Sequence, residues 1–296
     1  MTVLLPALVP VISIVLIGFF ASRTLALEGQ TLSQLTIYVF APALIAGSLY
    51  RTTLSAQSAL RLVAGFAIAS LLLYLVVRIS GKLFQLPDPI QKSLIATTLF
   101  ANNGNLGLPL VAFTFGEQGL ERAVVYLVAS AVLMVGAGPT LLKGEGIKAG
   151  IELTLKLPLV WAMVGGLLLR VLDIQLPSTL DEGITMLGNA AIPVALILLG
   201  MQLASTRIVV RRFELFAASL RLLLAPAIAY TVGYCLKLEG LDLQVLIMQG
   251  AMPTAVNALV WVTEFGGDAP CVARTIVLST LMSFLTLPLV LWASSP

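Results

Sequence analysis

Ala101-Asn102-Asn103-Gly104-Asn105-Leu106-Gly107-Leu108-Pro109 interrupts an apolar segment, residues 90–114, that otherwise has the length to cross a bilayer. Three amides, two glycines and a proline within nine residues cannot make a comfortable lipid-facing helix. Unwound backbone at membrane depth survives only when it is buried in protein or lines a wet cavity. A second segment, residues 243–263, is interrupted in the same way by Gly250-Ala251-Met252-Pro253-Thr254-Ala255-Val256-Asn257. Two broken spans at matching places in one chain point to a binding site between them.

The rest of the chain supplies the membrane that this reading needs. Its 296 residues are 59% hydrophobic and only 10% charged, with a mean hydropathy of +1.03. A soluble fold of this length could not hide so much apolar surface in one core. A net charge of +3 gives no reason to expect a nucleic-acid partner. Cys235 and Cys271 stand far apart and read as small buried apolar residues, and there is no histidine. No zinc knuckle, redox pair or imidazole site is therefore encoded, and no metal or cofactor is expected. No phosphate-binding loop is present either.

Ten apolar segments are expected to span, at about 3–21, 31–50, 60–80, 90–114, 121–142, 157–172, 183–204, 213–236, 243–263 and 271–292. They are continuous runs without strand-like alternation, so the fold class is an all-α polytopic bundle. Of the seventeen Lys and Arg, Arg51, Arg61, Arg122, Arg170 and Lys237 fall on the side of the N-terminus. The opposite side holds Arg23, Arg78, Lys82, Lys92, Lys143, Lys148, Lys156, Arg207, Arg211, Arg212 and Arg274, leaving only Arg221 inside a segment. Positive charge marks the cytoplasm, which places both termini outside a cell membrane and the 143–156 linker inside.

A shift of about 150 residues aligns the punctuation of the two halves. Leu5-Pro6 meets Leu157-Pro158, Pro42 meets Pro193, Phe115-Gly116 meets Phe265-Gly266, Arg122 meets Arg274 and Pro139 meets Pro288. Residues 1–142 and 157–296 are thus expected to be five-helix repeats joined by the 143–156 linker. Five is odd, so the second repeat enters the membrane inverted, with broken helices four and nine crossing near the bilayer centre.

That crossing defines the candidate site. The half-helix starts carry free N–H groups and a partial positive charge, which suit an anion such as a carboxylate. Asn102, Asn103, Asn105, Pro253, Thr254 and Asn257 are the candidate solute contacts. Gly104, Gly107, Pro109 and Gly250 keep the breaks open, while Pro42 and Pro193 shape helix packing. The bland alternative is that the asparagines only satisfy broken backbone. Asn189, Gln202 and Gln249 read as interhelical hydrogen-bonding groups, and Glu264 and Asp268 as solvated residues at a segment exit. No carboxylate lies near the centre of a segment, so no proton relay is expected.

At the two breaks the sequence resembles the auxin efflux carrier family, within the wider bile-acid and auxin carrier superfamily. Asn102 precedes Gly107-Leu108-Pro109-Leu110 as an Asn precedes the Gly-Ile-Pro-Leu of plant members; Pro253 and the later Glu264-Phe265 resemble their ninth helix. The resemblance implies a scaffold of helices one, two, six and seven and a mobile unit of helices three to five and eight to ten. It also implies a homodimer joined through the scaffold. The short linker resembles prokaryotic members, and Leu157-Pro158-Leu159 stands where plant carriers have Asn-Pro-Asn. The expected activity is secondary transport of a small organic anion, an auxin-like or other carboxylate, by elevator or rocking alternating access. A sodium-coupled bile-acid-type symporter and, from another class, an ion channel are the alternatives. An enzyme is not expected, because no catalytic acid, Ser–His or metal constellation is visible.

Overall fold

The computed structural model describes residues 4–143, 147–206 and 209–294. Arg207 of the charge count lies outside the described residues, as do residues 144–146 of the linker. Among the described residues the chain is all-helical with no strand. Seven helical runs are long and apolar enough to cross a membrane. The chain is therefore a multi-pass membrane protein.

The helices are α1 (Leu4–Thr24), α2 (Gly29–Leu35), α3 (Ala41–Tyr50), α4 (Ala56–Leu83), α5 (Asp88–Leu99), α6 (Leu108–Lys143) and α7 (Ile147–Leu155). They continue as α8 (Pro158–Val171), α9 (Ser178–Ser205), α10 (Arg212–Ser219), α11 (Ala225–Cys235), α12 (Gly240–Gly250), α13 (Asn257–Phe265) and α14 (Ala269–Ser294). Within α6, Gly116 has φ 64° and ψ −157°, a non-helical point that divides residues 108–115 from the rest. The segment read at 157–172 forms α8, which at 14 residues is shorter than the seven runs. The 143–156 linker contains the helix α7, with Ile151 and Leu155 exposed.

Proline explains most of the irregular turns. A proline ring clashes with the carbonyl four residues earlier, and widening the helix there relieves the clash. Pro42, Pro109 and Pro226 each lie two residues beyond a π-helical segment, Thr36–Phe40, Asn103–Gly107 and Leu220–Leu224 respectively. Pro193 is different: α9 continues through it.

Two groups of helices pack by small residues. A Cβ on Gly18 of α1 would lie 2.3 Å from the Ile197 carbonyl of α9, and one on Gly200 would lie 2.0 Å from the Val15 carbonyl. Helix α3 packs on both α9 and α8, and a Cβ on Gly166 of α8 would lie 2.5 Å from the Ala46 carbonyl of α3. Backbones come this close in a membrane because dispersion, not water exclusion, draws helices together. The second group packs α4 against α5, α6, α11 and α12, with α14 beside α5, α10 and α12. An almost wholly apolar cavity of about 1090 Å³ is lined by residues of α3, α4, α6 and α8.

Corresponding turns of the two halves share backbone shape. Gln85 after α4 has φ 48°, and Lys237 after α11 has φ 54°. At these turns Leu86 N donates to Gly81 O and Leu238 N to Gly233 O, both at 2.9 Å. Gly116 and Gly266 also share positive φ, 64° and 78°.

Candidate functional site

Helix α5 stops at Leu99 and α12 at Gly250, and the chain beyond each stop pairs with the other. Asn102 N donates to Pro253 O at 2.8 Å, and Ala255 N donates to Phe100 O at 2.7 Å. The result is an isolated antiparallel bridge between Ala101 and Thr254. Stopping a helix orphans its last carbonyls and the next helix's first amides. The bridge satisfies four further backbone groups of the two breaks without water.

A cavity of about 510 Å³ opens on this bridge. Of the six candidate contacts, Asn102, Asn105 and Asn257 line it, and so do Gly104 and Pro109. Asn102 Oδ1 accepts from Asn105 N at 3.3 Å, which caps the π-helical segment. Its Nδ2 is buried and has no partner. Asn257 is exposed at the first position of α13. The amides of Gly104, Val256 and Asn257 have no acceptor among the described residues, and all three residues line the cavity. Residues with unpaired backbone amides and residues with amide side chains thus share the lining of one space.

The other three candidates lie behind the wall. Asn103 is 2% exposed and its Oδ1 is unpaired. Pro253 contributes its carbonyl to the bridge. Thr254 is fully buried, with its hydroxyl donating to Thr97 O at 2.7 Å and its amide donating to Ser279 Oγ at 3.2 Å. Thr254 thus holds the break together and does not face the cavity.

The supporting positions act through packing. A Cβ on Gly107 would lie 2.2 Å from Gln249 Oε1, and one on Gly250 would lie 2.9 Å from the Ala229 methyl. Gln249, read as a hydrogen-bonding group, is fully buried with both side-chain polar atoms unpaired. Gln202 Oε1 is unpaired as well. Glu264, read as a solvated exit residue, is exposed and is the one carboxylate in the cavity lining among the described residues. Leu157 and Leu159 also line the cavity.

Sequence reasoning counted Arg221 but gave it no role. It is 3% exposed and sits in the π-helical segment before Pro226. Its Nε donates to Met252 O at 2.8 Å and its Nη1 to Thr98 O at 2.9 Å; its Nη2 donates to Gly250 O. The available signal was a lone cation within an apolar segment, which is rare enough in membranes to mark function.

A family model described as membrane transport protein matches residues 3–291 of the chain. The chain belongs to this membrane transport protein family. An uncharacterised transporter of Methanothermobacter thermautotrophicus is 31% identical over 294 residues, covering 94% of each chain. A second uncharacterised transporter, from Methanocaldococcus jannaschii, is 26% identical over 95% of this chain and 96% of its own. Auxin efflux carrier component 1 of Arabidopsis thaliana is 27% identical over 114 residues, 38% of this chain and 18% of its own. The relatives are transporters, both prokaryotic and plant, as the sequence resemblance implies. In this membrane transport protein the break residues and the cavity belong to one structure.

Proposed function

We propose that this membrane transport protein is a secondary carrier for a small organic anion, an auxin-like or other carboxylate, bound where the two broken helices cross. The observation that carries the reading is the cavity on the Asn102–Pro253 bridge, with its amide side chains and its three unpaired backbone amides. Such groups solvate a carboxylate without demanding a proton from it. The contacts are Asn102, Asn105 and Asn257, with Asn103, Pro253 and Thr254 fixing the bridge from behind.

The carrier has ten spans in two inverted five-helix repeats, residues 1–142 and 157–296, joined by the 143–156 linker. Matching positive-φ turns at Gln85 and Lys237 and at Gly116 and Gly266 support this. So do the reciprocal close approaches of Gly18 to Ile197 and Gly166 to Ala46. Helices α1–α3, α8 and α9 are the scaffold; α4–α6 and α10–α14 are the moving unit. The large apolar cavity between α4 and α8 favours sliding there, because little packing must break. The scaffold joins two copies into a homodimer, both termini face outward, and the bilayer is a cell membrane.

The experiment is a thermal-shift screen of purified protein against acetate, benzoate, malonate, succinate and indole-3-acetate, followed by counterflow of each stabilising anion into proteoliposomes. Saturable counterflow of a carboxylate supports the carrier reading. Unitary currents, or stabilisation by no carboxylate, contradict it.

A further inference from the structure

Arg221 donates to three backbone carbonyls and to no acid among the described residues. Thr98 belongs to the last turn of α5, Gly250 is the last residue of α12, and Met252 follows it at the break. The three acceptors therefore belong to the C-terminal ends of the two first half-helices. Those ends carry orphaned carbonyls and a partial negative charge. In carriers built from discontinuous helices, such carbonyls are where a coupling cation is coordinated.

We propose that Arg221 is a tethered cation: its guanidinium takes the place of a dissociable metal ion at the ends of α5 and α12, so that anion binding at the crossover needs no coupling cation. The proposal rests on the crossover being the solute site. Arginine stays charged when buried and offers its donors in a planar fork. Three hydrogen bonds from one guanidinium to two separate chain segments fix the spacing of α5 and α12. That spacing sets the register of the Asn102–Pro253 bridge, so Arg221 is a positioning residue and not a wall of the cavity. Lysine, a point charge on a flexible stem, cannot hold the same three carbonyls in one plane. The unpaired oxygens Thr98 Oγ1 and Gln249 Oε1 belong to neutral side chains at these same helix ends. With a guanidinium already on the carbonyls, they lack the negative charge that would draw in a second cation.

The test uses wild type, Arg221→Ala and Arg221→Lys, with binding of benzoate and succinate and melting temperature as readouts. Each is measured in sodium chloride, in N-methylglucamine chloride, and with low millimolar guanidinium chloride or urea added. The expected result is equal wild-type binding in sodium and N-methylglucamine. Arg221→Ala loses about tenfold or more in affinity. Guanidinium restores it, whereas urea, its neutral isostere, and sodium do not; Arg221→Lys stays impaired. Sodium-dependent wild-type binding overturns the proposal, as does wild-type affinity in Arg221→Ala without guanidinium. If Arg221→Ala does not fold, the wild-type sodium comparison and Arg221→Lys decide. If wild type binds neither anion, the solute assignment fails separately. The tethered cation is then judged by melting temperature: guanidinium must raise it in Arg221→Ala and not in wild type, and failure to do so overturns the proposal.

Discussion

The backbone amide of Asn102 donates to the carbonyl of Pro253 at 2.8 Å, joining two broken helices that are far apart in the sequence. Its partner bond, from Ala255 N to Phe100 O, faces the other way, so the two breaks are pinned at two points. Two short hydrogen bonds in a water-poor environment resist separation more than the same bonds in water. The two breaks are therefore held to each other where they border the cavity.

The small-residue contacts between α1 and α9 should tolerate no added methyl. A Cβ on Gly200 meets the Val15 carbonyl at 2.0 Å and the Phe19 amide at 2.6 Å, both backbone atoms that cannot rotate away. Gly165, nearly two turns from the end of α8, has nothing within 4 Å. Gly200→Ala is expected to cost about 1–3 kcal/mol or more through overpacking. Gly165→Ala should be neutral or slightly stabilising, by about 0.4–1 kcal/mol. Detergent-solubilised melting curves of the two variants check this, and equal melting temperatures would show that α1 and α9 are not packed this closely.

Arg274 and Glu214 join α14 to α10 at 2.5 Å, with side-chain exposures of 19% and 1%. The two partners are not equivalent on removal. Arg274→Ala leaves a buried carboxylate alone, and is expected to cost about 3–5 kcal/mol. Glu214→Ala leaves a cation that can still reach water, and should cost clearly less. Denaturation of both single variants and the double variant measures the asymmetry; similar losses would contradict the burial assigned to Glu214.

Cys235, read as a buried residue, is exposed, whereas Cys271 is buried, so topology can be read with two cysteines placed in a Cys235→Ser background. Glu239 lies at the start of α12, on the outer side by the charge count, and Glu152 lies in α7 on the inner side. Glu239→Cys should react with an impermeant maleimide in intact cells, and Glu152→Cys only after the membrane is opened. The reverse pattern would invert the orientation.

The breaks were legible from sequence because their residues have one physical outcome in lipid. Asn102, Asn103, Gly104 and Asn105 ahead of Pro109 cannot continue a span, and Pro253 does the same for the second. Which amides face the cavity was not legible. The π-helical turn at Asn103–Gly107 rotates Asn103 inward and leaves Asn102 and Asn105 on the lining, and its width follows from Pro109 only in three dimensions. Arg221 was visible as a cation but not as a clamp, because its acceptors are carbonyls of Thr98, Gly250 and Met252, which carry no side-chain signature. The linker's α7 was missed because nine residues with apolar Ile147, Ile151 and Leu155 are too short to stand out from a loop.

In the proposed carrier Asn102 and Asn257 bind the solute and do not merely satisfy the broken backbone. Asn257 has no side-chain hydrogen bond among the described residues, and Asn102 keeps an unpaired Nδ2 while its Oδ1 makes one long cap bond. The decisive measurement takes melting temperature and carboxylate affinity together for Asn102→Ala and Asn257→Ala. Losing one hydrogen bond to a charged group costs about 1.5–3 kcal/mol, so affinity should fall roughly ten- to 150-fold in each. Melting should be nearly unchanged for Asn257→Ala and only modestly lowered for Asn102→Ala. Unchanged affinity with a large loss of stability in both variants would contradict the claim.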